Sequence, residues 1–230
     1  MKKYRTEWKY VCNEADLARI EARVSSGLLP DEHGVNGCYS VHSLYFDDLK
    51  NSCANDTDSG ISRRYKYRLR YYGSSSDRLT LEKKEKLDGR CHKKTCPISR
   101  EEFDAIMQGD FSELLWQTDK AVLKEFCVRT LARGFRPAVI IDYERCAYVE
   151  PTTHVRITFD RNISASADCQ EFLSGDYLRR PVLPSGRHVL EVKFDEILTS
   201  HFRHLVSDAS LVQSAFSKYT LGRLSLRSVS

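Results

Sequence analysis

A short cationic segment, RRYKYRLRYYG at residues 63–73, most constrains what this chain can fold into. Side chains alternate between the two faces of a β-strand, so a strand here would have two very different faces. One face is almost purely cationic and carries Arg64, Lys66, Arg68 and Arg70. The other is mainly aromatic and apolar, with Arg63, Tyr65, Tyr67, Leu69 and Tyr71. The segment predicts a strand whose apolar face packs under helices.

The same alternation of charged and apolar positions recurs along the chain. It predicts eight strands, within residues 2–12, 37–47, 63–73, 77–88, 89–98, 136–149, 154–160 and 187–195. Mostly hairpin-length connections favour antiparallel pairing, and closure of eight such strands removes exposed edges. We therefore expect an α+β fold: one domain over residues 1–230, built on an eight-stranded antiparallel β-barrel with helices packed outside.

Four helices are predicted between these strands. The first begins at an Asn13 cap and covers 13–26, and the second, 99–109, opens with a capping box of Ser99 and Glu102. Apolar residues at helical spacing predict one long helix at 112–134 and another at 205–222. Trp8 and Trp116 are expected in the core.

The charged faces raise the question of where they point. A single charged strand face is normally solvated, which favours an outward orientation for 63–73 taken alone. Strand after strand shares the pattern, however, with further members Arg5, Glu7, Lys9, Thr80, Glu82, Lys84, Lys86, Arg145, Arg156, Thr158, Asp160, Glu191 and Lys193. A barrel with a charged interior is the arrangement that uses all of these faces at once.

Electrostatics indicates what such an interior would bind. Two like charges about 4 Å apart repel by roughly 4 kcal/mol at an effective dielectric constant of about 20, so a ring of cations is costly to keep empty. Phosphate fits, because Arg binds it bidentately and Lys acts as a point charge. The carboxylates Glu7, Glu82 and Glu191 would repel phosphate unless a hard divalent cation, Mn²⁺ or Mg²⁺, lay between them.

Composition narrows the setting. The chain has 230 residues, 41% hydrophobic and 30% charged, as in globular domains. A net charge of only +4 is low for a non-specific nucleic-acid coat. Neither a membrane span nor a secretory signal is visible, which predicts a cytoplasmic location and reduced thiols for the eight cysteines. Cys91 and Cys96 lack zinc-site spacing, and His201 and His204 are expected to have surface or helix-capping roles rather than to form a metal pair.

Several segments together resemble a known family. In order along the chain they are EWKY, SLYFDD, RRYKYRLRYYG, LEKKEK, YER, VRITFD, LEVKFD and FSKY. The set is similar, from Glu7 to about Gly222, to the vacuolar transporter chaperone (VTC) polyphosphate polymerase domain in its stand-alone bacterial form. That family belongs to the CYTH-like triphosphate tunnel metalloenzymes. The resemblance implies a triphosphate tunnel with a C-terminal helix at its mouth.

The resemblance also implies roles for individual residues. Catalytic positions would be Arg68, Arg70, Lys84, Arg145 and Glu191, with Glu191 a metal ligand. Further phosphate-binding residues would be Lys9, Lys93, Lys193 and Lys218, and Lys94 is the register alternative to Lys93. The charged strand faces add Lys86 and Arg156 as phosphate-binding residues and Glu7 and Glu82 as metal ligands. Triphosphatase-branch members begin with E-x-E-x-K, and Arg5 here replaces the first Glu, which fits the polymerase branch.

The expected activity is metal-dependent phosphoryl transfer, most simply polyphosphate synthesis from ATP. The alternatives are a tripolyphosphatase or nucleoside triphosphatase, and a polyphosphate-binding module without turnover. ATP, triphosphate or polyphosphate would be the ligand, and export across a membrane would need a separate membrane partner. A nucleic-acid binder would place aromatics and cations on one exposed face, whereas in 63–73 they alternate.

Overall fold

One large antiparallel sheet organises the chain. The computed structural model describes residues 4–207 and 211–227. The strands are β1 Thr6–Asn13, β2 Leu29–Pro30, β3 Cys38–Asp47, β4 Arg64–Tyr72, β5 Leu79–Leu87, β6 Arg90–Ile98, β7 Arg136–Glu150, β8 Val155–Ser166, β9 Arg180–Pro181 and β10 Arg187–Phe194. The eight long strands correspond to the eight predicted ones. The two-residue strands β2 and β9 had no counterpart in the sequence prediction.

The sheet curls until its two terminal strands meet. Its order is β1-β10-β8-β7-β3-β4-β5-β6, with β2 added to β7 and β9 to β8. Arg5, just before β1, and Cys91 of β6 exchange two backbone hydrogen bonds of 2.9 Å. The continuous ladders do not themselves close into a barrel, but this bridge brings the edges together. The α+β class and the antiparallel pairing are confirmed.

Seven α-helices accompany the sheet in the described part of the chain. They are α1 Glu14–Ser25, α2 Ser52–Asp58, α3 Arg100–Gln108, α4 Phe111–Gln117, α5 Ala121–Arg133, α6 Ser200–Val206 and α7 Lys218–Arg227. One apolar cluster includes Phe46 and Tyr67 of the sheet and Phe126 of α5. A second joins α1 and α6 to β1, β8 and β10. The apolar strand faces are thus covered from outside, which leaves the charged faces on the inner side.

The capping residues that predicted the first residues of two helices are confirmed. The Asn13 side chain accepts a hydrogen bond of 2.8 Å from the Asp16 amide, and Ser99 and Glu102 form the reciprocal capping box. Such caps satisfy amides that have no partner within the helix. Helix α2 was not predicted. Its first turn is capped by a residue that precedes the helix, because the amides of Cys53 and Ala54 donate to the Asp47 carboxylate.

The predicted helix 112–134 is wrong as one element, because it is broken into α4 and α5. Thr118 between them is extended, and its hydroxyl accepts the Lys120 amide at 3.1 Å. A hydroxyl that bonds nearby backbone competes with helical pairing. Trp116 also departs from the expectation of a core position: it lies on α4 with a relative exposure of 88%.

The predicted helix 205–222 is likewise wrong. Helix α6 ends at Val206, α7 begins at Lys218, and residues 211–217 are not helical. Gln213 bridges Tyr10 of β1, and the Ser214 amide donates to the Lys9 carbonyl at 2.8 Å. Strand β1 pairs with β10 along one edge, and this segment supplies hydrogen-bond partners for part of the other edge of β1. Residues 208–210 of the predicted helix lie outside the described residues.

The prediction of eight reduced thiols is wrong for one pair. Cys38 of β3 and Cys146 of β7 face each other directly in the ladder and form a disulfide, with Cα atoms 4.1 Å apart. The two cysteines are 108 residues apart in the sequence, so no local pattern indicated that they pair. The other six cysteines are free. In the described part of the chain, the helices all fall short of the length and apolarity needed to span a membrane.

Candidate functional site

A cavity of about 320 Å³ lies on the inner face of the sheet. Its walls come from β1, β4, β5, β7 and β10, from the α2 region, and from residues 214–219. The acidic residues described in its lining are Glu7, Asp58 and Glu191. The basic residues described there are Lys9, Arg64, Lys66, Arg68, Arg70, Lys84, Lys86, Arg145, Lys193 and Lys218. Cations outnumber carboxylates about threefold, so the cavity is strongly positive.

Two carboxylates lie among lysines on β1, β5 and β10. Lys84 Nζ is 2.8 Å from Glu7 Oε2, and Lys193 Nζ is 3.4 Å from Glu191 Oε1. Lys9 Nζ is within about 4.0 Å of both carboxylates. Burial acts to raise the pKa of Glu7, but the lysine charges, Lys84 first, outweigh it and lower that pKa to about 2. Burial likewise opposes ionisation of Glu191, and Lys193 and Lys9 still hold its pKa well below the usual range. Both groups are ionised at neutral pH.

A second group centres on Asp160, which is fully buried on β8. Arg145 Nε and Nη2 donate to its two carboxylate oxygens at 2.6 and 2.7 Å. Lys218 Nζ, at the start of α7, lies 2.6 Å from Asp160 Oδ2. Burial would raise the pKa of Asp160, but Arg145 and Lys218 lower it to about 2. Asp160 was not among the predicted site residues, yet it fixes two that were.

A third group involves the arginines of β4. Arg68 Nε donates to Glu82 Oε2 at 2.7 Å, and Lys93 Nζ contacts Glu82 Oε1 at 3.0 Å. Arg70 donates to the Ser43 hydroxyl at 2.9 Å and to the Tyr143 hydroxyl at 3.2 Å. Glu82 is only 2% exposed and is enclosed by cations, which hold its pKa far below normal although burial opposes this. Its oxygens already have partners.

Several lining residues were absent from the predicted site, among them Tyr45 and Lys66. The Tyr45 hydroxyl accepts a hydrogen bond of 2.7 Å from Arg68 Nη1. Burial would raise its pKa, but the charges of Arg68 and Arg70 lower it to about 7. Lys66 Nζ lies 4.6 Å over the ring of Tyr219, and burial lowers the pKa of Lys66 to about 8. The alternation in 63–73 had put Lys66 on the cationic face, which was the available signal.

The pKa of Lys193 is lowered in the same way. Burial lowers its pKa to about 8, even though Glu191 and Glu7 act in the opposite direction. A lysine with such a pKa is incompletely protonated near pH 8. Its ammonium would become fully charged when an anion enters the cavity.

Three predicted residues lie outside the described lining of the cavity. Glu82 is behind the arginines. Lys93 is half-exposed beside it, and Arg156 donates to the Tyr39 hydroxyl at 2.8 Å and pairs with Asp31. Lys93 is on the inner face, whereas Lys94 contacts Glu125 of α5, which resolves the register alternative. His201 and His204 are exposed on α6, as predicted.

The carboxylates limit how a metal could bind. Among residues 4–207 and 211–227, no group of three or more His, Cys, Asp or Glu is arranged to hold an ion. Glu7 and Glu191 face the cavity and flank the same two lysines, Lys9 and Lys193. Magnesium-type ions are commonly held by one or two carboxylates together with substrate phosphates. Glu7 and Glu191 line the cavity and fit such a site, whereas Glu82 lies outside the described lining.

Structural comparison places the fold among known proteins. A candidate adenylyl cyclase from Hippeastrum, which revealed a dominant triphosphatase activity, is similar with a TM-score of 0.60 at 12% identity, over 96% of this chain and 95% of that one. A candidate adenylate cyclase from Bacillus halodurans gives 0.52 at 12% identity, over 89% of each chain. A Pyrococcus horikoshii protein, PH1012, gives 0.51 at 12% identity, over 94% and 98%. At these identities the likeness concerns the fold alone.

Sequence comparison identifies the family. No curated protein sequence matches the chain significantly. The model of the VTC domain family, in contrast, matches residues 4–227, nearly the whole chain. The resemblance carried by the ordered strand motifs is confirmed, and the chain belongs to the VTC domain family.

Proposed function

We propose that the cavity binds the phosphates of a triphosphate or polyphosphate and catalyses phosphoryl transfer, with polyphosphate synthesis from ATP as the reaction. The presence of ten cations and only three carboxylates in the described lining of one cavity carries this proposal. Mutual repulsion among these cations is relieved by a polyanion far better than by water.

Arg68, Arg70 and Arg145 would hold the terminal phosphates. Their guanidinium groups are already oriented by Glu82, Ser43 and Asp160, respectively, so little side-chain ordering is left for the substrate to impose. The loose transition state of phosphoryl transfer needs positioning and charge neutralisation more than a nucleophilic side chain. Lys84, Lys9 and Lys193 would neutralise charge on the opposite wall.

Glu7 and Glu191 are the residues that would hold a divalent metal, Mn²⁺ or Mg²⁺. At that position the ion would supply a Lewis acid that would stabilise the charge developing during transfer. In its absence, the two carboxylates orient Lys9, Lys84 and Lys193.

The shape of the sheet suits an elongated ligand. We propose that the Arg5–Cys91 bridge makes the inner face a closed tunnel, with Lys218 at the start of α7 near one mouth. A chain of phosphates could then lie along the rows of alternate cations on β4 and β5.

A triphosphatase is the second candidate, supported by the fold shared with the Hippeastrum protein. Both reactions would use the same cation-lined cavity. They differ in the acceptor, which is the end of a phosphate chain in one and water in the other.

Purified protein incubated with ATP and Mn²⁺ tests the proposal, with ADP, orthophosphate and long-chain product followed together. Long chains would support synthesis, and orthophosphate alone would support the triphosphatase. Tight triphosphate binding without turnover would indicate a binding module and contradict catalysis.

Two variants test the site itself. Arg70→Ala and Glu191→Ala should abolish turnover, while Arg100→Ala on the exposed surface of α3 should leave it unchanged. Circular dichroism checks that each variant is folded. Wild-type rates in folded Arg70→Ala and Glu191→Ala would rule out this site.

A further inference from the structure

Three aromatic rings cluster at the rim of the inner face, outside the residues that line the cavity. We call His33, Tyr39 and Tyr72 the rim cluster. The ring centroids of Tyr39 and Tyr72 are 5.6 Å apart in an edge-to-face arrangement, and those of His33 and Tyr39 are 6.4 Å apart. Tyr72 is the last residue of β4, and Tyr39 is the second residue of β3.

The rim cluster begins where the phosphate-binding arginines end. By strand alternation Tyr72 lies on the same face as Arg68 and Arg70, and the guanidinium carbon of Arg70 is 5.8 Å from the Tyr72 ring centre. Tyr39 lies directly opposite Arg145 in the β3–β7 ladder. A ligand that entered from this end of β4, with its phosphates at Arg70 and Arg145, would have its other end beside these rings.

Tyr72 has open surface to offer such a ligand. It is 42% exposed, whereas Tyr45, Tyr71 and Tyr143 on the neighbouring positions are each at most 6% exposed. The other two rings of the cluster have polar partners: Arg156 donates to the Tyr39 hydroxyl at 2.8 Å, and His33 Nδ1 lies 2.6 Å from Asp31. The rim is thus an ordered aromatic surface next to a phosphate site.

We propose that the rim cluster is a nucleobase subsite, in which the base of a nucleoside triphosphate stacks on Tyr72 while its phosphates extend past Arg70 and Arg145. This inference rests on the proposed phosphate-binding function and adds a contact to the base, through which nucleotides are preferred to inorganic triphosphate. Stacking is tolerant of base identity, because every base has a π-face. ATP and GTP should therefore bind alike.

Substituting Tyr72 separates the base contact from the phosphate contact. Tyr72→Leu keeps a bulky apolar side chain beside Tyr39 but removes the ring, and Tyr72→Phe keeps the ring. In EDTA, to prevent turnover, affinities for ATP and for inorganic tripolyphosphate are measured by calorimetry. Tyr72→Leu should weaken ATP binding by roughly fivefold to a hundredfold and leave tripolyphosphate within about twofold. Tyr72→Phe should bind both ligands like the wild type.

A fluorescent base gives an independent readout of stacking. The emission of 2-aminopurine riboside triphosphate should be quenched on binding to the wild type and to Tyr72→Phe, and much less at saturation with Tyr72→Leu. Quenching that is equal in all three proteins would overturn the subsite.

The calorimetric outcomes distinguish this inference from the proposed function. Unchanged ATP affinity in Tyr72→Leu, or an equal loss for both ligands, would refute the subsite alone, since wild-type tripolyphosphate binding would stand. If the wild type bound neither ligand in EDTA or with Mn²⁺, the proposed function would fail, and the subsite with it.

Discussion

Asp160→Asn offers the sharpest test of how the cavity keeps its cations in place. Asp160 is fully buried and accepts Arg145 through both carboxylate oxygens, while Lys218 contacts the same carboxylate at 2.6 Å. Asparagine has nearly the same shape, so the substitution removes charge without opening a cavity. It leaves two buried cations facing each other with only Glu191 nearby.

The size of the effect follows from the burial. Removing one partner of a buried ion pair costs roughly 3–5 kcal/mol, because an uncompensated charge remains. For a chain of this length, 1 kcal/mol shifts the melting temperature by about 2–4 °C. We expect Asp160→Asn to melt roughly 6–20 °C below the wild type. The half-exposed Asp104, 3.2 Å from Arg100 on α3, provides the matched control, and Asp104→Asn should change stability by no more than about 0.5 kcal/mol.

A double-mutant cycle shows whether the loss is electrostatic. Lys218→Met removes the second cation, so Asp160→Asn should cost less in that background than in the wild type. Thermal unfolding followed by circular dichroism, with urea midpoints for each variant, measures all four proteins. A melting temperature for Asp160→Asn within about 2 °C of the wild type, or strict additivity in the cycle, would refute the reasoning.

Two further predictions concern proton linkage and packing. Because the pKa values of Lys193 and Lys66 are lowered to about 8, binding of long-chain polyphosphate at pH 8 should take up protons, and its affinity should fall as pH rises above 8. Calorimetry in buffers of different ionisation enthalpy measures the uptake; Lys193→Met should reduce it, and its absence in the wild type would contradict the linkage. A Cβ on Gly222 of α7 would meet Ile141 Cδ1 at 2.2 Å, so Gly222→Ala should lose roughly 1–2 kcal/mol, since overpacking exceeds the gain in helix propensity. A raised urea midpoint in that variant would show that α7 does not pack here as described.

The strands could be predicted from the sequence because each one buries one apolar face, which appears as alternating apolar residues. In 63–73 and 77–88 the apolar positions alternate within a few residues, so the signal is local and survives without knowledge of the partner strand. The caps at Asn13 and Ser99 were visible for the same reason. Most of the basic lining followed from this alternation and from the family resemblance.

What the sequence did not reveal depends on partners distant along the chain. Residues 211–217 are not helical, and part of that segment bonds β1; the Cys38–Cys146 pair is set by the β3–β7 register. The same holds within the site. Arg156 pairs with Asp31 and Lys93 with Glu82, and both cations lie outside the described lining, although strand alternation and the family resemblance had assigned them to phosphate.

The meeting of β1 with residues 213 and 214 has a consequence for biosynthesis. Strand β1 is translated before its ladder partner β10 and before the segment that bonds Lys9 and Tyr10, which follow some two hundred residues later. Until they emerge, the backbone groups of β1 lack these partners in the nascent chain. The cavity, with Lys218 and Tyr219 in its wall, therefore cannot be completed before residue 219 has been translated.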